Sequence, residues 1–373
     1  MMVNTICEAC AKGSIVNLSK IIIKTTNNIA SKCIFGRSFE TSDGSDNDGR
    51  KSIGEVVRKM TSQSTTLGIG DLFPSLDWVD VLTGFNSRLK DTYVELDSIL
   101  EEVIEEHKIK KRNKNINDRS YENKDFVDIF LQLQERDMLE FELTGDTMKG
   151  ILMDMFVGGS DSVSTAIEWA FAELAKNPNS MKKAQEEVRR IVDGKFKIEE
   201  NHLNQMNYMK CVIKETLRLH PPVPLLLRIK TSTNVVKIND YNIPKEITVY
   251  VNSYAIHRDP KLWDNAEEFI PERFEGDNNN QQFDYKKVIN FKLIPFGFGR
   301  RGCPGASFGI ASVEYLMANL LYWFDWKVPN NNNSNGDDDD VEMDMSEMSG
   351  MTVTKKEPLY LRPTLYSSFD SKS

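Results

Sequence analysis

The feature that most limits how this chain can fold is an apolar, helix-forming run at residues 143–177, LTGDTMKGILMDMFVGGSDSVSTAIEWAFAELAKN. From Gly150 to Lys176 it predicts about 40 Å of helix at about 1.5 Å per residue. The run is apolar nearly all round, so it needs packed neighbours on every side. That places it in the middle of a large core, which a single surface layer could not supply. Thr144 and Thr147 offer caps at its start, and Pro178 stops it. With 373 residues, 40% of them apolar and 9% aromatic, the chain has the material for such a core. That composition excludes intrinsic disorder of the whole chain.

Other helices are predicted at 94–108, 180–192, 203–220 and 306–324, each with apolar residues at helical spacing. Strand-like segments are short: VVKIN at 235–239, ITVYVNSYAI at 247–256 and LYLRP at 359–363. The fold class is therefore mainly α with a small β component. Four polar stretches lack apolar periodicity and read as exposed loops: 41–52, 108–124, 275–282 and the Asn/Asp tract at 330–340. No repeat of solenoid or propeller period is present. The formal net charge of −9 excludes a general nucleic-acid binder, which needs a basic footprint. Five scattered cysteines, Cys7, Cys10, Cys33, Cys211 and Cys303, do not form a disulfide framework and imply a reducing compartment. No run reaches the roughly 18 apolar residues of a membrane span, and no signal peptide opens the chain, so a soluble polypeptide is expected as written.

The sharpest motif is PFGFGRRGCPGASFG at 295–309. It places Phe296, Gly299, Arg301, Cys303 and Gly305 at the spacing F-x-x-G-x-R-x-C-x-G, a chance match on the order of 10⁻⁷ per starting position. Glycines before the cysteine let the backbone turn tightly and approach a flat partner. A helix starts directly beyond Pro304, so Cys303 sits near a helix N-terminus between backbone N–H groups and two arginines, which favours a thiolate. Spacing alone leaves three roles open for Cys303: metal ligand, nucleophile, or cysteine buried in a glycine turn.

The segment resembles the heme-binding loop of the heme-thiolate monooxygenases, the cytochrome P-450 family. The resemblance implies heme b as cofactor, Cys303 as its proximal iron ligand, Arg301 on a heme propionate and Phe296 packed near the ligand sulfur. Gly299 and Gly305 belong to the same cofactor-binding loop.

Other constellations are read beside it. E-x-x-R pairs at Glu55–Arg58, Glu186–Arg189 and Glu187–Arg190 suit solvated helix faces. Glu215–Arg218 lies instead on an otherwise apolar helix that ends at Pro221 and Pro222. A buried pair needs all its hydrogen bonds met, so a third polar partner is expected, and PERF at 271–274 offers Arg273. These three resemble the family's structural Glu–Arg–Arg triad. Gly158 and Gly159 in mid-helix suggest a kink, close approach to a ligand, or tight packing. Asp161 and Ser162 follow on the same apolar helix, where a proton relay is a reasonable use of a carboxylate and a hydroxyl. The family pattern carries a threonine where this chain has Ser162, and the resemblance implies that both residues deliver protons during oxygen activation. Val223, Leu225, Leu226 and Leu227 would line the substrate pocket with Gly158 and Gly159 by the same resemblance. Plant relatives place a propionate-contacting arginine at the position of Ile229. Either Arg228, one residue earlier, takes over that contact, or one propionate anchor is missing. Cys7 and Cys10 lack the further ligands of a metal or redox motif, Cys33 and Cys211 are read as core thiols, and His220 as structural.

The resemblance covers essentially the whole chain as a single domain, 1–373, with 330–345 as an exposed loop. It is strongest to plant microsomal members, which begin earlier, so the fold is expected to lack its N-terminal part. The implied function is insertion of one atom of O₂ into a small apolar molecule of plant specialised metabolism, with electrons from an NADPH-dependent cytochrome reductase. The family's membrane anchor would lie in the absent part and hold the native chain on the cytosolic face of the endoplasmic reticulum. Two alternatives are a heme-thiolate isomerase or lyase, which needs no proton relay, and an inactive truncated chain.

Overall fold

The computed structural model describes residues 1–38, 56, 59–60, 63, 68–113, 124–136, 138–229, 236–245, 247–276, 291–329 and 343–366. These form two compact units, one of residues 1–22 and 162–373, the other of residues 23–161.

The larger unit holds the helices Met2–Ala11, Pro178–Val192, Asn207–Leu219 and Ala306–Trp323 around the second half of the long helix Gly145–Lys176. That half is buried without interruption from Val163 to Leu174, as an all-round apolar surface requires. The first half is not: Asp154 and Gly158 are exposed, so this part of the helix is amphipathic rather than fully enclosed. Thr144 caps the helix as expected, its Oγ1 accepting from Thr147 N–H at 3.2 Å. Pro178 both stops this helix and opens the next at its first turn, where a missing N–H costs nothing.

Among the described residues, four small antiparallel sheets complete the unit. Tyr360–Leu365 is the middle strand of a three-stranded sheet, paired with Val16–Asn17 on one side and Phe324–Lys327 on the other. Leu225–Ile229 pairs with Thr248–Asn252, Val236–Ile238 with Tyr241–Ile243, and Glu347–Met348 with Thr354–Lys355. The expected strand 247–256 ends at Asn252. Its second half is a helical turn, Ser253–His257, because the Asn252 side chain accepts from Ala255 N–H at 2.9 Å and caps it.

Among its described residues the smaller unit consists of helices joined by turns and irregular segments, with no strand. Phe85–Asn113 and Phe126–Glu135 pack with the C-terminal part of Leu18–Phe35 and the first half of the long helix. Ile34, Leu100, Val103, Leu131, Leu152 and Phe156 are among its buried core, with the Phe35 and Phe156 rings 5.9 Å apart. The loop expected to begin at 108 begins later, since the helix continues to Asn113 through a basic last turn that suits its dipole. The segments 41–52 and 330–340 lie outside the described residues, as do 114–123 and 277–290. The expected helix 203–220 breaks at Met206 into Glu200–Leu203 and Asn207–Leu219. Among the described residues, no helix is long and apolar enough to cross a membrane.

Candidate heme-thiolate site

Cys303 lies two residues before Gly305, the N-cap of Ala306–Trp323. The loop leading to it is built from backbone hydrogen bonds. Gly297 N–H donates to the Ile294 carbonyl at 3.0 Å, Gly302 N–H to that of Gly299 at 2.9 Å, and Cys303 N–H to that of Phe296 at 2.8 Å. Gly297 and Gly299 hold φ of +66° and +74°, a region that residues with a Cβ rarely enter. This is the physical reason for glycine at those two positions. The result is a narrow loop that presents its cysteine outward. Cys303 is exposed, which removes the reading as a buried thiol. Arg301 sits exposed in the short 3₁₀ turn Gly299–Arg301, and Phe296 is half-buried below it. Beside Gly299 and Gly305 there is open space where a Cβ would stand. A single thiol, a guanidinium two residues away and two faces cleared by glycine fit an iron porphyrin, with sulfur for the metal and a cation for a carboxylate side arm.

Glu215 and Arg218 are fully buried, as the apolar helix predicts. Arg218 uses every donor it has. Nε and Nη2 bond the two oxygens of Glu215 at 2.8 Å each. Nη1 donates to the carbonyls of His257 at 2.8 Å and Ala266 at 2.6 Å, and Nη2 also to that of Glu268 at 3.0 Å. Arg273 is the third partner, its Nε 2.9 Å from Glu215 Oε1, and Ile270 N–H donates to the same oxygen at 2.9 Å. The 3₁₀ turn Pro271–Phe274 presents Arg273, and the Trp263 ring lies 5.3 Å from the Arg218 guanidinium.

Other expected residues separate. On the strand Leu225–Ile229, Leu226 is buried while Leu225 and Leu227 stand exposed on the opposite face. A strand's period of two forbids all three from lining one pocket. Val223, which precedes the strand, is also exposed. Arg228 pairs its backbone with Val249, and its side chain lies outside the described residues. Asp161 and Ser162 are consecutive and half-buried on the long helix. The helix is continuous through Gly158 and Gly159, so the pair makes no break, and a Cβ at Gly158 would meet nothing within 4 Å. Tight packing therefore does not explain Gly158.

Several residues depart from their sequence reading. Cys33 is exposed, whereas Cys211 is buried as expected. Glu187 is no solvated pair member: its carboxylate accepts from Tyr208 and Met209 N–H, both at 2.9 Å, and so caps the helix that carries the triad. Arg189 bonds the Phe324 carbonyl at 3.1 Å and Asp325 at 2.8 Å. Long-range partners of this kind leave no mark in an i, i+3 spacing. His220 is structural, its Nε2 2.7 Å from Glu173 and its ring stacked on Trp169 with centroids 4.1 Å apart. His257 carries no motif, yet it stands between the triad and the cysteine loop.

Comparison with known proteins agrees with this geometry. The family model described as Cytochrome P450 matches residues 1–353. Phenylacetaldehyde oxime monooxygenase of Prunus mume is 46% identical over 96% of this chain and 64% of its own length. Cytochrome P450 71A1 of Persea americana is 44% identical over 97% of this chain and 68% of its own length. Amorpha-4,11-diene 12-monooxygenase of Artemisia annua is 37% identical over 96% of this chain and 66% of its own length. The chain thus spans about two thirds of the length of the curated relatives it matches. On the family match and these identities, the chain belongs to the cytochrome P450 family, whose members bind heme iron.

Proposed function

We propose that this chain carries the heme-thiolate core of a monooxygenase that inserts one atom of O₂ into a small apolar plant metabolite. The observation that carries the proposal is the cysteine loop: one outward-facing thiol, held by its own backbone N–H, at the head of a buried helix. Cys303 ligates the iron, Arg301 binds a heme propionate, and Phe296 shields the sulfur. Arg228 is the candidate for a second propionate contact. Heme held by the Cys303 thiolate would supply O₂ activation, with the sulfur as an electron-rich ligand.

The residues of this chain do the rest. Asp161 and Ser162 hold and move protons on the long helix. Gly158 leaves room beside that helix, Gly159 follows it, and Val223, Leu225 and Leu227 offer apolar surface for substrate. The buried hub of Glu215, Arg218 and Arg273 keeps the elements that flank the cysteine loop fixed. Electrons come from an NADPH-dependent cytochrome reductase. If the native chain is longer, a membrane anchor in the added part would hold it on the cytosolic face of the endoplasmic reticulum. Relatives named as monooxygenases of phenylacetaldehyde oxime and of amorpha-4,11-diene support a specialised-metabolite substrate. The retained Asp161–Ser162 pair favours oxygen activation over isomerase or lyase chemistry.

The test is the absorption spectrum of the reduced, carbon monoxide-bound chain after reconstitution with hemin. A Soret band red-shifted from that of His-ligated heme, lost in Cys303→Ser, is the expected result. A non-thiolate spectrum in the unsubstituted chain would overturn the ligand assignment for this polypeptide.

A further inference from the structure

The segment that presents Cys303 begins at Ile294, and the backbone there has a side-chain partner. Ile294 is buried, and its N–H donates to Nε2 of His257 at 2.9 Å. His257 is fully buried, and its carbonyl accepts from Arg218 Nη1 at 2.8 Å. One residue therefore ties the arginine hub to the base of the cysteine loop. The tie continues along the loop. The Ile294 carbonyl takes the N–H of Gly297 at 3.0 Å and sets the turn at that left-handed glycine, and the Phe296 carbonyl takes the N–H of Cys303 at 2.8 Å. Three hydrogen bonds thus lead from an imidazole ring to the backbone of the proposed ligand.

To accept from Ile294, Nε2 must be unprotonated. Burial pushes the imidazole down to about 4, and the charge of Arg218 and then Arg258 pushes the same way. The lone pair is therefore available at neutral pH. Ile294 has no strand partner, so without the ring its N–H would be a buried donor left without an acceptor.

We infer that His257 is a positioning residue for the iron ligand: its neutral ring fixes the backbone at Ile294 and, through it, the register of the loop that presents Cys303. The inference rests on the ligand role proposed for Cys303, and it assigns no contact between His257 and heme.

Two variants test it, each checked for retained helix content by circular dichroism. His257→Leu keeps apolar bulk and removes the acceptor, while His257→Gln keeps an acceptor near the position of Nε2. The first readout is amide hydrogen exchange in the heme-free chain. In His257→Leu, exchange at Ile294 and Cys303 should speed up about tenfold or more, while the helix Asn207–Leu219 stays protected. In His257→Gln, most of that protection should return. The second readout is the share of the reduced, carbon monoxide-bound spectrum in the thiolate-type band after hemin loading. That share should fall severalfold in His257→Leu and recover in His257→Gln.

Unchanged exchange at Cys303 in His257→Leu would overturn the inference, as would equal defects in both variants, which would mean that packing and not the acceptor matters. If His257→Leu fails to fold, an amide-to-ester change at Ile294 removes the donor and leaves His257 in place, and the same readouts decide. Should the unsubstituted chain give no thiolate-type band, the ligand assignment fails, and the exchange measurement still decides whether His257 sets the loop.

Discussion

Arg218 grips Glu215 with a two-pronged contact, Nε to Oε2 and Nη2 to Oε1, both at 2.8 Å and both fully out of water. Neither residue tolerates loss of the other. Desolvating two charges is costly, and the pair persists because each remaining donor and lone pair finds a backbone or side-chain partner. Glu215→Gln should therefore destabilise the chain by about 3–5 kcal/mol, because it strands a buried guanidinium. Arg218→Lys should do the same, since one ammonium cannot replace a five-donor fork. Arg273→Lys should cost less, because the Arg273 side chain keeps some contact with water whereas Arg218 has none. Urea denaturation of the three variants checks this order. A loss below about 1 kcal/mol for Glu215→Gln would mean that the hub is not the anchor its geometry suggests.

His257 makes a prediction about acid. Its folded pKa is depressed to about 4 from the ordinary imidazole value of 6.5, by burial first and by the charge of Arg218 next. The unfolded chain binds this proton as pH falls below about 6.5, whereas the folded chain resists until about 4. Stability should therefore decline across that window, by roughly 3 kcal/mol from this group alone. His257→Gln should flatten that part of the profile. Denaturation midpoints between pH 4 and 7 in the two proteins measure the difference, and parallel curves would contradict it.

His107 should act in the opposite direction. It is buried in the smaller unit, with Nδ1 2.7 Å from the Val103 carbonyl and Nε2 2.9 Å from Asp125. Burial lowers its pKa, but the bonds to Asp125 and Val103 outweigh that and hold it above the ordinary imidazole value of 6.5. A raised folded pKa stabilises fully below about 6.5 and loses that contribution as pH rises through the folded value. Asp125→Asn should remove this loss on the alkaline side. Because Asp125 also caps Phe126–Glu135 by accepting from Asp128 N–H at 2.9 Å, and asparagine is as good a cap, the helix itself should survive. Denaturation midpoints of both proteins from pH 6 to 9 check it, and a persisting alkaline decline in Asp125→Asn would assign it to another group.

The parts of this molecule that were legible in advance are those written in local periodicity or fixed spacing. The second half of the long helix announces its burial because apolar residues between Val163 and Leu174 recur on nearly every face. The partner Arg273 was predictable because a buried Glu–Arg pair leaves acceptors and donors that must be met. Illegible were contacts whose two ends are far apart in the chain. Glu187 looked like a solvated carboxylate until the N-terminus of Asn207–Leu219 was placed against it. His257 follows directly on a predicted strand and carries no motif, because nothing local shows that Asn252 caps a helical turn or that the ring meets Ile294. Apolar composition could not divide Val223 to Leu227 between the two faces of the strand. Strand pairing with Thr248–Asn252 sends Leu226 to the opposite side from its neighbours, and apolar composition alone carries no register.

The last prediction concerns the two polar residues in the middle of the long helix. If Asp161 and Ser162 manage protons, then removing either should uncouple electron use from product formation and leave heme binding intact. Asp161→Asn should lower the monooxygenation rate of the reductase-supported, full-length protein by about 10²-fold, within the usual span for a lost proton-transfer group. Ser162→Ala should waste more NADPH as reduced oxygen species, whereas Ser162→Thr should waste less than the unsubstituted protein. The added methyl restricts χ1 and holds the hydroxyl in one rotamer, which serine leaves looser. The measurement is product formed per NADPH consumed, taken beside the reduced, carbon monoxide-bound spectrum as a control for heme content. Equal coupling in the alanine, serine and threonine forms would remove Ser162 from the relay. A full-rate Asp161→Asn enzyme would remove Asp161 and reopen the isomerase or lyase reading.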